Sequence, residues 1–357
     1  MFLPITLGVI AMAYLPGIVS ATVAGRWAVA SICAALMLLF FKTRPFLGPG
    51  HFWAGLLLIW AALSTVWSVS PFDSLGELYH WVTLAALFFL ASQYNKSADN
   101  LLLAIVFGLF VSVPFALLQW KGFVPVIATD VPASPSGLFL SKNALGEVSA
   151  MTLVWAIARR NWWCMPAPLL LVLLSGSRGA LLGIFLGLVY LVPSWRWRVL
   201  MLIVTLMGFA LLTRLHDIGM TSIVQHIDIW AVTIANLTWF GYGLNTFGTL
   251  IPQYEFSHND TIQLLFELGP IGVFLAVMLF VRAVRRCTPE TCALVALAGA
   301  SLVSFPLHHP TGAVLMAVLS GYCCGVSDRT SRAKSIIRAS YFYRNYPVYN
   351  PIPTRGL

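Results

Sequence analysis

The stretch NWWCMPAPLLLVLLSGSRGALLGIFLGLVYLVPSW, residues 161–195, is almost continuously apolar and is interrupted once, at Ser175-Gly176-Ser177-Arg178-Gly179. As a single helix it would be about 53 Å long, far beyond the ~30 Å hydrocarbon core of a bilayer. Two short helices joined at a tight turn fit the length instead. The basic residues flanking the stretch, Arg159-Arg160 and Arg196 with Arg198, then fall on one side of the membrane and Arg178 on the other. A guanidinium near lipid is costly unless it is paired or faces a wet cavity, which makes Arg178 a functional candidate. The plainer reading is a turn residue snorkelling to the interface.

Composition points the same way. The 357-residue chain is 59% hydrophobic and 9% charged, where a soluble domain carries about 25% charged residues. This excludes a soluble module of any size. It predicts one all-α polytopic membrane domain over residues 1–328, followed by a basic cytoplasmic tail at 329–357. The formal net charge of +9 is dispersed between apolar runs and forms no nucleic-acid footprint. No basic region precedes the first apolar segment, which is read as a retained span and not as a cleaved signal peptide.

Apolar runs predict about twelve transmembrane helices, at 2–20, 27–41, 51–67, 78–92, 100–120, 143–158, 162–176, 179–193, 199–213, 258–281, 291–307 and 311–326. With both termini cytoplasmic, only Arg26, Lys121, Lys142, Arg178 and Arg214 of the 21 basic residues fall outside. So strong an inward bias sets the orientation. Two outer loops are then long, one from Lys121 to Lys142 and the larger, periplasmic one at 214–257. Loops of this length are usually functional or disordered. Within the second, TSIVQHIDIWAVTIANLTWF at 221–240 places Ile223, Ile227, Trp230, Ile234 and Leu237 at helical spacing. That pattern predicts a helix lying on the membrane or capping a cavity. The tail after Arg329 is basic and rich in Tyr and Pro, and is expected to be disordered against anionic lipid. None of the six cysteines lies in a long outer loop, so no disulfide framework is implied.

Polar side chains gather on the outer face at the ends of different spans. Lys142 and Asn143 open LFLSKNALGEVSAM, with Glu147 one turn deeper. His258, Asn259 and Asp260 open FSHNDTIQLLFELGPIG, with Glu267 further in. His308 and His309 sit in FPLHHPTG. Plain alternatives exist: Asn143 and Asp260 as helix caps, Glu147 and Glu267 as structural counter-ions to Arg178, His309 as an interface residue. Together, a cation, imidazoles and amides suit a phosphorylated lipid whose phosphate leaves while a hydroxyl attacks. The outer acids lack metal-ligand spacing, so no metal and no cofactor is expected. Gly241-Tyr242-Gly243 lacks the flanking pattern of a dinucleotide loop or a potassium filter.

These motifs resemble the O-antigen ligase and O-antigen polymerase superfamily of bacterial inner-membrane glycosyltransferases. The resemblance covers roughly residues 50–325 and rests on six pieces in the family's order. They are LSTVWSVSP at 63–71, GLFLSKNALG at 137–146, LLSGSRGALLG at 173–183, IDIWAVTIANLTWFGYGLNTF at 227–247, SHNDTIQLLFELGPIG at 257–272 and FPLHHP at 305–310. It implies a metal-independent inverting transfer at the periplasmic face. The donor is a glycan on undecaprenyl diphosphate, and the acceptor is a lipid A-core or another glycan. It implies that Arg178 grips the diphosphate and that His258 activates the acceptor hydroxyl. The gathering of polar side chains on the outer face adds Asn259, Asp260, Asn143 and His308 as candidate substrate-binding residues. Where the family has a second arginine, a turn before the tryptophan matched by Trp230, this chain has His226. His226, Arg214 or Lys142 could take that part. A repeat-unit polymerase of the same superfamily is the alternative, and a polytopic transporter or lipid flippase a more distant one.

Overall fold

The computed structural model describes residues 2–12, 23–41, 45, 47–94, 97–123, 135–139, 141–194, 196–201, 203, 220–254 and 256–345. It is all-helical, with no strand among the described residues. The helices are α1 (Phe2–Met12), α2 (Val23–Leu39), α3 (Pro49–Ser64), α4 (Pro71–Gln93), α5 (Asp99–Trp120), α6 (Lys142–Arg159) and α7 (Pro166–Ser175). They continue with α8 (Arg178–Leu191), α9 (Met220–Ala235), α10 (Phe247–Leu250), α11 (Asp260–Ala283), α12 (Pro289–Ala300) and α13 (Pro310–Asn345).

Four helices are long and apolar enough to cross a membrane: α4, α5, α11 and the Pro310–Ser331 part of α13. Several other predicted spans are apolar helices of 10–17 residues: α2, α3, α7 with the turn before it, α8 and α12. These fall short of the ~20 residues a span ordinarily needs. Proline at the first turn sets where α3, α4, α7 and α12 begin, because it has no N–H to lose there. The predicted span at 199–213 lies almost wholly outside the described residues, as do Arg214 and the second half of the first span.

The 161–195 stretch forms a helical hairpin. α7 ends at Gly176, whose φ of +56° makes the left-handed turn that a side chain would resist. Ser177 then caps α8 by accepting from the Ala180 amide at 3.3 Å. This hairpin packs on α6, which is buried on nearly every side. A helix so enclosed needs small residues where its neighbours cross. A Cβ on Gly146 would sit 2.7 Å from Ser175 and Ser177, and one on Gly183 would sit 2.5 Å from the Ala296 carbonyl of α12. Close approach through glycine is how membrane helices gain packing when lipid offers no hydrophobic drive.

α11 is broken at Gly269-Pro270, where Gly269 has φ +68°. Proline has no N–H, and the break misaligns the next two donors, so the carbonyls of Phe266, Glu267 and Leu268 lose their helical partners. The loop after α9 and Trp60 of α3 supply replacements. Tyr242 N donates to Phe266 O at 3.1 Å, Gly243 N to Glu267 O at 2.9 Å, and Trp60 Nε1 to Leu268 O at 2.8 Å. The approach leaves no room for side chains, since a Cβ on Gly241 would meet the Glu267 carbonyl at 2.2 Å. Gly241-Tyr242-Gly243 is therefore a backbone plug for a broken helix.

The tail differs from expectation. α13 continues to Asn345 instead of giving way to disorder after Arg329. Residues 326–345 contain neither proline nor glycine, so nothing stops the helix. Residues 346–357 lie outside the described ones.

Candidate functional site

The N-terminus of α11 is held by an unusual density of side-chain bonds. Asn259 is its cap, accepting from Ile262 N at 3.1 Å and donating from Nδ2 to Leu302 O at 2.8 Å. Ser257 Oγ donates to Asn259 O at 2.7 Å, and Ser257 N donates to Gln263 Oε1 at 3.1 Å. His258 lies between these two fixed residues with φ +55°, a region that non-glycine residues rarely occupy. Strain of this kind persists only where the surroundings impose it, and it clusters at functional sites.

The strained backbone projects the His258 ring between two partners. It stacks on His226 of α9, with centroids 4.7 Å apart and planes 19° apart, and it meets the edge of Phe305 at 4.9 Å. His226 is fixed in turn by Trp230, which stacks on it at 6.3 Å and donates from Nε1 to Ser257 O at 2.9 Å. Burial, with His226 adding to it, lowers the His258 pKa to about 4, so the ring is unprotonated at pH 7. Burial also lowers His226, and the Arg178 charge lowers it further. Arg178, His226 and His258 thus share one electrostatic environment.

A second pair adjoins the first through the backbone of residues 258–260. Asp260 Oδ1 lies 2.8 Å from His308 Nδ1, and Oδ2 accepts from Leu307 N at 3.0 Å. Burial works against a charge on His308, but the Asp260 carboxylate overrides it and raises the pKa to about 9. His309 goes the opposite way. Burial, reinforced by the charge of His308, lowers it to about 3, and its Nε2 is buried with no hydrogen-bond partner among the described residues.

Other expected site residues have different places. The caps are Ser141 for α6 and Asn259 for α11, so Asn143 and Asp260 are not caps. Lys142 and Asn143 are half-buried in the first turn of α6. Glu267 has partners at both oxygens. Its Oε2 accepts from Asn245 N at 3.0 Å and its Oε1 from Gln263 Nε2 at 3.1 Å, which ties the loop to the broken helix. Glu147 is buried, with neither oxygen hydrogen-bonded to a described residue; it stands beside Gly179 and faces Ser304 across it. Arg214 lies outside the described residues.

The α9 surface is also rearranged. Ile229 and Thr233 are buried and Trp230 is half-buried, whereas Ile227 and Ile234 are exposed. The predicted single apolar stripe is therefore split between a docked face and a free one. Phe305, Ser257 and Trp230 as a donor were not foreseen. Only the tryptophan left a signal, since a buried indole N–H needs an acceptor. Arg26 is likewise buried, donating from Nη1 to Thr311 Oγ1 at 3.3 Å and lying 4.9 Å over the Phe139 ring.

No protein-family model matches the chain, and no curated protein matches it.

Proposed function

We propose that this chain is an O-antigen ligase-type glycosyltransferase of the bacterial inner membrane. It would move a glycan from undecaprenyl diphosphate to a hydroxyl on a lipid A-core or similar acceptor. In this reading about twelve segments cross the membrane and the 214–257 loop lies in the periplasm, over the site. The observation that carries it is the strained His258, neutral at pH 7, stacked on His226 within reach of the Arg178 charge.

The step balances with these groups alone. The acceptor hydroxyl gives its proton to the unprotonated nitrogen of His258, and its oxygen bonds to the anomeric carbon from the face opposite the diphosphate. The bond from that carbon to the diphosphate oxygen breaks, and the configuration inverts. The leaving diphosphate carries the electron pair, and Arg178 holds its growing charge through a bidentate fork. His226 contributes through coupling. An arriving diphosphate favours imidazolium at His226, and the new charge there opposes a proton on the stacked His258, which stays an unprotonated acceptor for the hydroxyl's proton. The second cation that the family carries as arginine is then created when donor binds. Asn259 and Asp260 hold the His258 backbone in place, and Lys142, Asn143 and His308 border the substrate.

The test is transfer in proteoliposomes supplied with an undecaprenyl-diphosphate-linked glycan and a lipid A-core acceptor, comparing wild type with His258→Ala at matched abundance. Loss of the base is expected to lower the rate about 10²–10⁴-fold. Turnover near wild type would remove His258 from the chemistry.

A further inference from the structure

α3 and α11 run antiparallel. At one end, Gly50 N donates to Asp328 Oδ2 at 3.4 Å, and Asp328 pairs with Arg282 near the end of α11. At the other, Trp60 donates to Leu268 O at 2.8 Å. The Ser64 end of α3 and the Asp260 end of α11 therefore reach the same membrane surface. α9 and the turn after it bridge these two ends. His226 of α9 stacks on His258, and Trp230 donates to Ser257 O, just before α11 begins. Past the other end of α9, Phe240 packs on Trp60 and Trp67 at 6.3 and 6.2 Å. Tyr242 O then accepts from Val69 N at 3.1 Å, in the turn after α3.

The side chains of α9 fall in three strips. His226, Ile229, Trp230 and Thr233 face the protein. Val224, Ile227, Ala231 and Ile234, at i, i+3, i+7 and i+10, form an exposed strip with no polar side chain. The opposite flank exposes Gln225 and Asp228, continued by Asn236 just past the helix. A helix docked on protein alone needs one apolar strip, so the second calls for an apolar neighbour of its own. The surface it joins shows which. Trp239, 79% exposed, and Phe240 extend it beyond the helix. Through the contacts of Phe240 with Trp60 and Trp67 it runs on into Phe52, Ile59 and Leu63, the outward-facing residues of α3. On an apolar helix of a membrane protein that outward face meets lipid, and tryptophan gathers where lipid meets water. We propose that α9 and the Trp239-Phe240 turn lie in the membrane interface, the free strip and both rings among acyl chains and the polar flank in water. The occupant of the free face is the bilayer, which holds the helix carrying His226 from the side away from His258. This strap stands whether or not glycan transfer occurs.

The experiment places the full chain, cysteine-free, in phosphatidylcholine vesicles and attaches a nitroxide to one introduced cysteine. The variants are Gln225→Cys, Ile227→Cys, Asp228→Cys, Ile234→Cys and Trp239→Cys. Power saturation compares collisions with oxygen, which concentrates in lipid, and with a nickel chelate, which stays in water. Oxygen is expected to prevail at 227, 234 and 239, and nickel at 225 and 228. Ile227→Cys and Ile234→Cys are expected to read the same depth, about 5–10 Å into the headgroup boundary. A helix standing out from the membrane would separate them by ~10 Å, at about 1.5 Å per residue, and would overturn the proposal. Nickel prevailing at both positions would overturn it as well. So would protection from both reagents, the sign of a second copy or another protein on this face. Ala231→Cys, the mildest change on the strip, repeats the measurement should an isoleucine variant not fold.

Discussion

Asp260 and His308 come from elements 48 positions apart in sequence and meet at 2.8 Å, carboxylate against imidazole, directly beside the strained His258. Because the folded pKa of His308, about 9, lies above the ordinary 6.5, the pair stabilises the fold fully below pH 6.5. That contribution is lost as pH rises through about 9. Asp260→Asn is expected to cost about 1–3 kcal/mol near neutral pH and to flatten this slope. Thermal unfolding of wild type and variant between pH 6 and pH 9.5 measures both, and parallel profiles would mean that the pair does not set the dependence.

Arg178 and His226 are expected to respond to substitution in opposite directions. Arg178→Lys replaces a planar fork by a point charge and should lower transfer about tenfold or more. His226→Arg supplies a permanent cation beside Arg178 and should leave transfer intact or raise it, with a lower KM for donor. Donor titrations of both variants separate the effects. Full activity in the Arg178→Lys variant would reduce Arg178 to an interface charge.

The glycine plug makes a structural prediction independent of any activity. Gly241→Ala forces a Cβ into the Glu267 carbonyl at a residue with φ +72°. The expected cost is about 2–4 kcal/mol, from strain plus displaced carbonyl partners. Gly76→Ala, within α4 with nothing within 4 Å of the added carbon, is expected to be neutral or mildly stabilising. Melting temperatures of the two purified variants decide it, and equal values would show that the loop does not support the break in α11.

Orientation is testable with single cysteines in a cysteine-free background. Arg178→Cys and Leu250→Cys should react with an impermeant thiol reagent from the periplasmic side, whereas Arg160→Cys and Arg285→Cys should react only after permeabilisation. Slow labelling is expected at 178, which is half-buried. Labelling of 178 from the cytoplasm alone would dissolve the proposed transferase site.

The sequence by itself determined that this protein is helical and apolar and that residues 161–195 turn back on themselves. Those properties are local: hydrophobic run length, the glycine at the turn and the serine cap are all read within a few residues. It also marked His258 and Arg178 as charges or imidazoles at helix ends. Which helices reach span length was decided by where turns and prolines divide the runs, as at Pro166 of α7 and Pro289 of α12. Only the tertiary structure stacked His226 on His258, paired Asp260 with His308 and turned Glu267 toward Asn245. Each of these contacts joins separate elements, and its direction depends on helix rotation and loop path, which hydropathy does not encode. The split face of α9 has the same origin. Its pattern specified an apolar helix, but burial of Ile229 and exposure of Ile227 follow from what the helix docks against.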